Sequence, residues 1–203
     1  MLNLLLISQP RSGTHFLGNI LQNHSQIIFH NHEKFLTKLT NETFIKTINK
    51  INANFKFSRC FKPWPVSYYG TLVMINDYFT NNLFNLCSTT IIVLLRRNLT
   101  EQFLSLKIAR QTNTWEHAVS KVKIKFDKNE FDSYVLEIIN ERDKFLSFLN
   151  SKQIKHIVIY YEDLLKNKNE FVRLSKFLKL KPFKNFKTKY KKQEKRSIEE
   201  IIY

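Results

Sequence analysis

Arg11, Ser12, Gly13, Thr14 and His15 follow closely on an apolar run, Leu2-Asn3-Leu4-Leu5-Leu6-Ile7-Ser8. A guanidinium, two hydroxyls and an imidazole therefore crowd around one glycine. A loop of this kind, where it opens a helix, turns several backbone N–H groups and the helix N-terminus toward one point, and that point binds anions. The chain has only three glycines. Gly13 stands where the backbone must come close to the anion. The expected ligand carries phosphate or sulfate.

Two further clusters have residue types that could do chemistry. The run Thr89–Leu95 ends in Arg96-Arg97-Asn98, and Ser105 follows Arg97 after a little over two helical turns. That spacing puts Ser105 roughly on the helix face that Arg97 reaches, a second place for charge-assisted hydrogen bonds to an anion. Between the two anion motifs lies His30-Asn31-His32-Glu33. It offers one carboxylate and two imidazoles, each able to take a proton from a hydroxyl. Glu33 also fits an early-helix acid favoured by the helix dipole, and the histidines also fit packed or exposed positions. A nucleotide kinase is an alternative enzyme, but it needs Gly-x-x-x-x-Gly-Lys-Ser/Thr and a carboxylate for Mg²⁺. This loop lacks the first glycine and the lysine, and Arg96 follows the strong strand where a kinase keeps an acid.

The elements that must position these residues alternate. Strands are predicted at 2–8, 26–30, 54–61, 89–95 and 154–160, and helices at 13–23, 41–51, 68–86, 98–110, 130–150 and 167–178. The pattern predicts an α/β fold in one domain, residues 1–203. It is a doubly wound, mainly parallel sheet with helices on both faces, and its ligand lies at the carboxyl ends of the strands. The segment 179–203 is different. It is dense in lysine, with Glu194 as the one acid between Lys179 and Arg196. It reads as a loop that either closes over a bound ligand or stays a solvated basic stretch.

The 203 residues hold 33 Lys and Arg against 17 Asp and Glu, a formal net charge of +16. Such a surplus implies an anionic partner, although the general richness in Lys, Asn, Ile and Phe accounts for part of it. A basic nucleic-acid-binding protein is the non-enzymatic alternative. No aromatic stacking motif or helix-turn-helix pattern supports it, so no nucleic-acid partner is expected. Cys60 and Cys87 lack metal-ligand spacing and read as buried free thiols, and no metal site is expected. Without a signal peptide or a run of transmembrane length, the chain is expected to be soluble and cytoplasmic.

The loop Pro10-Arg11-Ser12-Gly13-Thr14-His15-Phe16-Leu17 resembles the 5′-phosphosulfate loop of the sulfotransferases that use 3′-phosphoadenosine 5′-phosphosulfate (PAPS). Leu94 to Leu106, with Arg97 and Ser105, resembles their 3′-phosphate motif. Ala109–Trp115, Ile159–Leu164 and the end of the chain, with Lys192-Gln193 and Arg196, are also similar to this family. The bacterial-type carbohydrate sulfotransferases of the nodulation-factor and trehalose kind resemble it most. The resemblance implies a P-loop-like fold and transfer of a sulfuryl group from PAPS to a carbohydrate hydroxyl. It implies that Arg11, Ser12, Gly13, Thr14 and His15 hold the 5′-phosphosulfate, that Phe16 lines the adenine pocket, and that Arg97 and Ser105 hold the 3′-phosphate. Lys192 and Arg196 would cover the nucleotide. Glu33 corresponds to the catalytic base of bacterial-type members, with His32 and His30 as rivals, because His32 replaces the usual glycine. Relatives often carry lysine where this chain has Arg11. Arginine does not give up a proton, so Arg11 would act by charge alone. Phe55-Lys56 resembles a pair near the acceptor, and Trp115 either borders the acceptor or packs in the core. The Glu162-Asp163 pair is expected to cap the following turn and to be structural.

Overall fold

A computed structural model describes residues 2–30, 67–80, 89–115, 122–184 and 201–202. Their elements run β1 (Leu2–Ser8), α1 (Thr14–Gln22), β2 (Ile27–His30), β3 (Tyr68–Met74), α2 (Ile75–Thr80), β4 (Thr89–Leu95), α3 (Leu99–Thr112), α4 (Lys128–Ser151), β5 (His156–Tyr160), α5 (Tyr161–Lys166) and α6 (Asn169–Leu178). The five strands form one sheet in the order β2-β3-β1-β4-β5, and every pairing is parallel.

Central strand β1 is apolar throughout because both of its faces are covered. Leu4 and Leu6 face one layer, with Leu17, Ile20 and Leu21 of α1, Leu164 of α5 and Phe171, Leu174 and Leu178 of α6. Leu5 and Ile7 face the other, with Ile75 and Tyr78 of α2 and Phe145 and Leu149 of α4. A third cluster, Phe103, Leu104, Ile108, Ile124 and Ile201, fills the space beside α3, with Phe131 and Tyr134 of α4 packed against it. The sheet is doubly wound, as the alternation of elements predicts. No helix among the described residues is long and apolar enough to cross a membrane.

Local signals explain the helix ends. Asn98 caps α3 by accepting the Glu101 N–H at 2.9 Å. Asn113 closes the same helix in the left-handed region, with φ 50°. Asp127 caps α4 by accepting the N–H groups of Asn129 and Glu130 at 2.8 and 3.1 Å.

One sequence expectation fails. The helix predicted over 68–86 is a strand from Tyr68 to Met74, followed by the short helix α2. A continuous buried apolar run does not distinguish strand from helix by periodicity. Here the two flanking strands decide it, because β3 lies between β2 and β1. Gly70 allows this fit: a Cβ there would lie 2.7 Å from the Leu4 carbonyl oxygen and 2.8 Å from the Phe29 ring. The strand predicted at 54–61, the helix at 41–51, Cys60 and Cys87 lie outside the described residues.

Candidate functional site

The chain leaves β1 toward β2 on one side of the sheet and leaves β4 toward β5 on the other, yet β1 and β4 are neighbours. Their carboxyl ends therefore flank the crevice where connections diverge, the usual ligand position in an open α/β sheet. The loop of residues 9–13 and the turn Arg96-Arg97-Asn98 are the two lips of that crevice.

The loop is held from below. Gln102 is fully buried and donates to the Pro10 carbonyl at 2.7 Å and to Ser12 Oγ at 3.1 Å. Buried Arg96 donates from Nη1 to the Arg11 carbonyl at 3.0 Å. Just before the loop, Gln9 donates to the Ile138 carbonyl and to Glu141 Oε2, at 2.8 and 2.7 Å. Burial raises the Glu141 carboxyl above the usual glutamate range, and the Gln9 bond draws it part of the way back. Two residues of the loop take left-handed conformations, Arg11 at φ 62° and Gly13 at φ 85°. Glycine at 13 has a second cause, since a Cβ there would lie 2.2 Å from Cδ2 of Tyr161. That ring also meets Phe16 edge-on, with centroids 5.8 Å apart.

Above this floor, the N-terminus of α1 has no side-chain cap and no acid in its first turn. Its partial positive charge is thus open to an anion. Arg11 bends over the crevice, its Nε donating to Ser105 Oγ at 2.9 Å and its Nη1 to the Trp115 carbonyl at 2.7 Å. The first anion motif and the serine of the second are thereby in direct contact.

The β4 turn is organised by acids. Arg96 Nη2 bonds Glu101 Oε2 at 2.5 Å, its Nε lies 3.8 Å from Glu162 Oε1, and its guanidinium sits over the Tyr161 ring. Glu162 accepts the N–H groups of Arg97 and Asn98 at 3.0 to 3.2 Å. Arg97 binds α5 and the last residue of β5. Its Nη2 donates to Asp163 Oδ2 at 2.6 Å, and its guanidinium lies 3.7 Å above the centre of the Tyr160 ring. The Asp163 bond raises the Arg97 pKa further, so this group remains a fixed cation.

The predicted residues thus divide. Ser12 and Thr14 are buried, and Ser12 Oγ is taken up in the loop's own support. Arg11, Gly13, His15 and Phe16 are half-buried at the crevice. Ser105 is brought to Arg11 rather than to Arg97. Trp115 is 47% exposed, which removes its core-packing alternative. Glu162 and Asp163 have structural partners, as expected, but these belong to the β4 turn rather than to the turn that follows the pair. They sit in the first turn of α5, where Glu162 brackets the β4 turn and Asp163 pairs with Arg97. His30 ends β2. His32, Glu33, Lys56, Lys192 and Arg196 lie outside the described residues. The start of the basic segment is docked at the opposite, amino edge of the sheet. There the Lys181 N–H donates to Gln26 Oε1 at 2.9 Å, and the Phe183 ring packs on His24. Any cover over the crevice therefore cannot come from residues 179–184.

Gln9 and Gln102 are supporting residues absent from the sequence expectations, and Arg96 and Glu162 support the loop and the β4 turn in ways those expectations did not include. Gln102 had a usable signal, because it lies in the same helical stripe as Leu106 and Ala109, a polar residue in a buried row. Chemically, the arrangement offers hydrogen-bond donors and fixed positive charge to an anionic ligand at the crevice. No protein-family model matches this chain, and no curated protein matches it.

Proposed function

We propose that this protein is a cytoplasmic sulfotransferase that moves a sulfuryl group from PAPS to a hydroxyl of a carbohydrate acceptor. One observation carries the reading. The two segments that resemble the family's donor motifs, far apart in the chain, meet at the sheet's switch point through the Arg11–Ser105 hydrogen bond. The groups at the crevice support an anionic ligand: the α1 N-terminus has no side-chain cap, its first turn holds no acid, and Arg11 lies at the same opening.

When bound, PAPS would supply an activated sulfuryl group. The chain's own residues do the rest. Arg11 and the N–H groups at Gly13, Thr14 and His15 hold the 5′ end and stabilise negative charge there. Arg97 and Ser105 serve the 3′-phosphate, and Phe16 the adenine side. Glu33 takes the proton of the acceptor hydroxyl, with His32 as its rival. Trp115 and Lys56 border the acceptor, and Lys192 and Arg196 close over the nucleotide.

Ligand-dependent melting tests the reading first. Adenosine 3′,5′-bisphosphate should raise the Tm clearly more than AMP at equal concentration, since a ligand confined to the native state stabilises by about 2.7 kcal/mol at a hundredfold excess over Kd. A larger shift with ATP and Mg²⁺ would favour the kinase instead. Transfer of labelled sulfate from PAPS to a panel of sugars tests the reaction itself. Glu33→Gln should lower that transfer by about 10²- to 10⁴-fold with donor affinity retained. An active Glu33→Gln beside an inactive His32→Asn would move the role of base to histidine.

A further inference from the structure

Tyr160 is the last residue of β5, and strand alternation sends it to the same layer as Val158, against the second core cluster. That packing holds its ring at the carboxyl edge of the sheet. The Arg97 guanidinium lies on this ring, 3.7 Å from its centre. Two other contacts fix the same residue. The Arg97 N–H is bound by the Glu162 carboxylate, and Nη2 is bound by Asp163. Even so, the Arg97 side chain is 55% exposed. A long side chain that would ordinarily sample many rotamers is thus held against the ring with one edge tied, and more than half of it stays exposed.

We propose that Tyr160 is a positioning residue: it seats Arg97 in a fixed plane so that the guanidinium recognises the 3′-phosphate of the donor. The proposal rests on the sulfotransferase reading of Arg97 and adds the group that makes its recognition selective. A guanidinium forms paired, coplanar hydrogen bonds to phosphate oxygens, so its plane matters as well as its charge. The aromatic face sets that plane and favours the cation by its quadrupole. Ordering the side chain before the ligand arrives removes part of the cost of ordering it on binding. Asp163 fixes the rotation within the plane.

The test compares adenosine 3′,5′-bisphosphate with AMP by isothermal titration on the full chain. The wild type should prefer the bisphosphate, and Tyr160→Phe, which keeps the ring, should keep the preference. Tyr160→Leu should reduce the preference by about two- to fivefold while leaving AMP affinity unchanged, the range expected for an exposed cation–ring contact. Arg97→Lys keeps the charge but cannot lie flat, and it should lose the preference to a similar extent. Where Tyr160→Leu melts early, Tyr160→Met, which fills the same space without a ring, is read in its place by the same ratio. Full preference in Tyr160→Leu or in Arg97→Lys overturns the seat. Arg97→Ala, losing its preference in the same series, would then leave the sulfotransferase reading standing. A wild type that binds AMP and the bisphosphate equally overturns that reading, and the seat with it.

Discussion

Arg96 and Arg97 are neighbours in the chain and opposites in the fold. Arg96 is 7% exposed, and its guanidinium joins the Arg11 carbonyl, Glu101 and the vicinity of Glu162 beneath the crevice. Arg97 lies on the rim, on an aromatic ring and against one carboxylate. The first is a strut of the floor, and the second is presented to solvent. The contrast teaches that positive charge at a strand end does not by itself mark ligand recognition. Burial among acids and carbonyls uses a guanidinium to hold the backbone, whereas exposure over a ring leaves it available to a partner.

The sharpest way to break this division is to remove each arginine in turn. Arg96→Ala leaves Glu101 and Glu162 without their buried partner and the Arg11 carbonyl without its donor. It should cost about 3–5 kcal/mol in chemical denaturation. Arg97→Ala should leave the Tm nearly unchanged and weaken adenosine 3′,5′-bisphosphate binding by about tenfold, as expected for loss of a charge-assisted contact. Equal melting losses in the two variants would erase the distinction between floor and rim.

Gly13→Ala comes next. It forces a Cβ into the Tyr161 ring at a positive φ, and a loss of about 2–4 kcal/mol is expected by thermal melting. Gln102→Leu keeps the volume but removes both donors to the loop, which should cost about 1–3 kcal/mol. If Gln102 belongs to the floor alone, AMP and the bisphosphate should lose affinity in proportion. A selective loss of the bisphosphate would assign it to the rim.

The smallest effect concerns Glu141, whose carboxyl is raised by burial. A carboxyl that is harder to ionise in the folded state than in the unfolded one costs stability as pH rises through the window between the two values. Glu141→Gln keeps an acceptor for Gln9 and removes the buried charge. It should therefore be more stable than wild type near neutral pH, by less than about 1 kcal/mol, with the difference disappearing below the ordinary glutamate range. Denaturation curves across pH would read this directly.

What the sequence revealed follows from how each signal arises. The strands at 2–8 and 89–95 were legible to the residue because both are continuous apolar runs bounded by turn residues. α1 was legible from Gly13, and the two anion lips from their position after those strands. β3 was misread because its identity depends on what it lies between rather than on its own pattern. The burial of Arg96 was illegible for a similar reason. Which of two adjacent arginines is buried depends on Glu101, Tyr161 and Glu162, two of which come from an element more than 60 residues further along the chain. The supporting role of Glu162 was hidden likewise, since a carboxylate in a first helical turn looks the same whether it serves its own helix or another turn.

The position of β1 has a consequence for how the molecule forms. Leu2 pairs with Tyr68 and Asn3 with Thr89, so the central strand has no local partner on either side. During synthesis β1 emerges well before either neighbour, and its leucine-rich face must wait uncovered for both. Contacts of such long sequence separation slow folding, because the loops between them have to close before any pairing is rewarded. Refolding from denaturant should be slow for a chain of this size, and aggregation during it should rise with protein concentration. The same arrangement that places the anion loop at the centre of the sheet leaves its strand without a partner until residues 68–95 have been made.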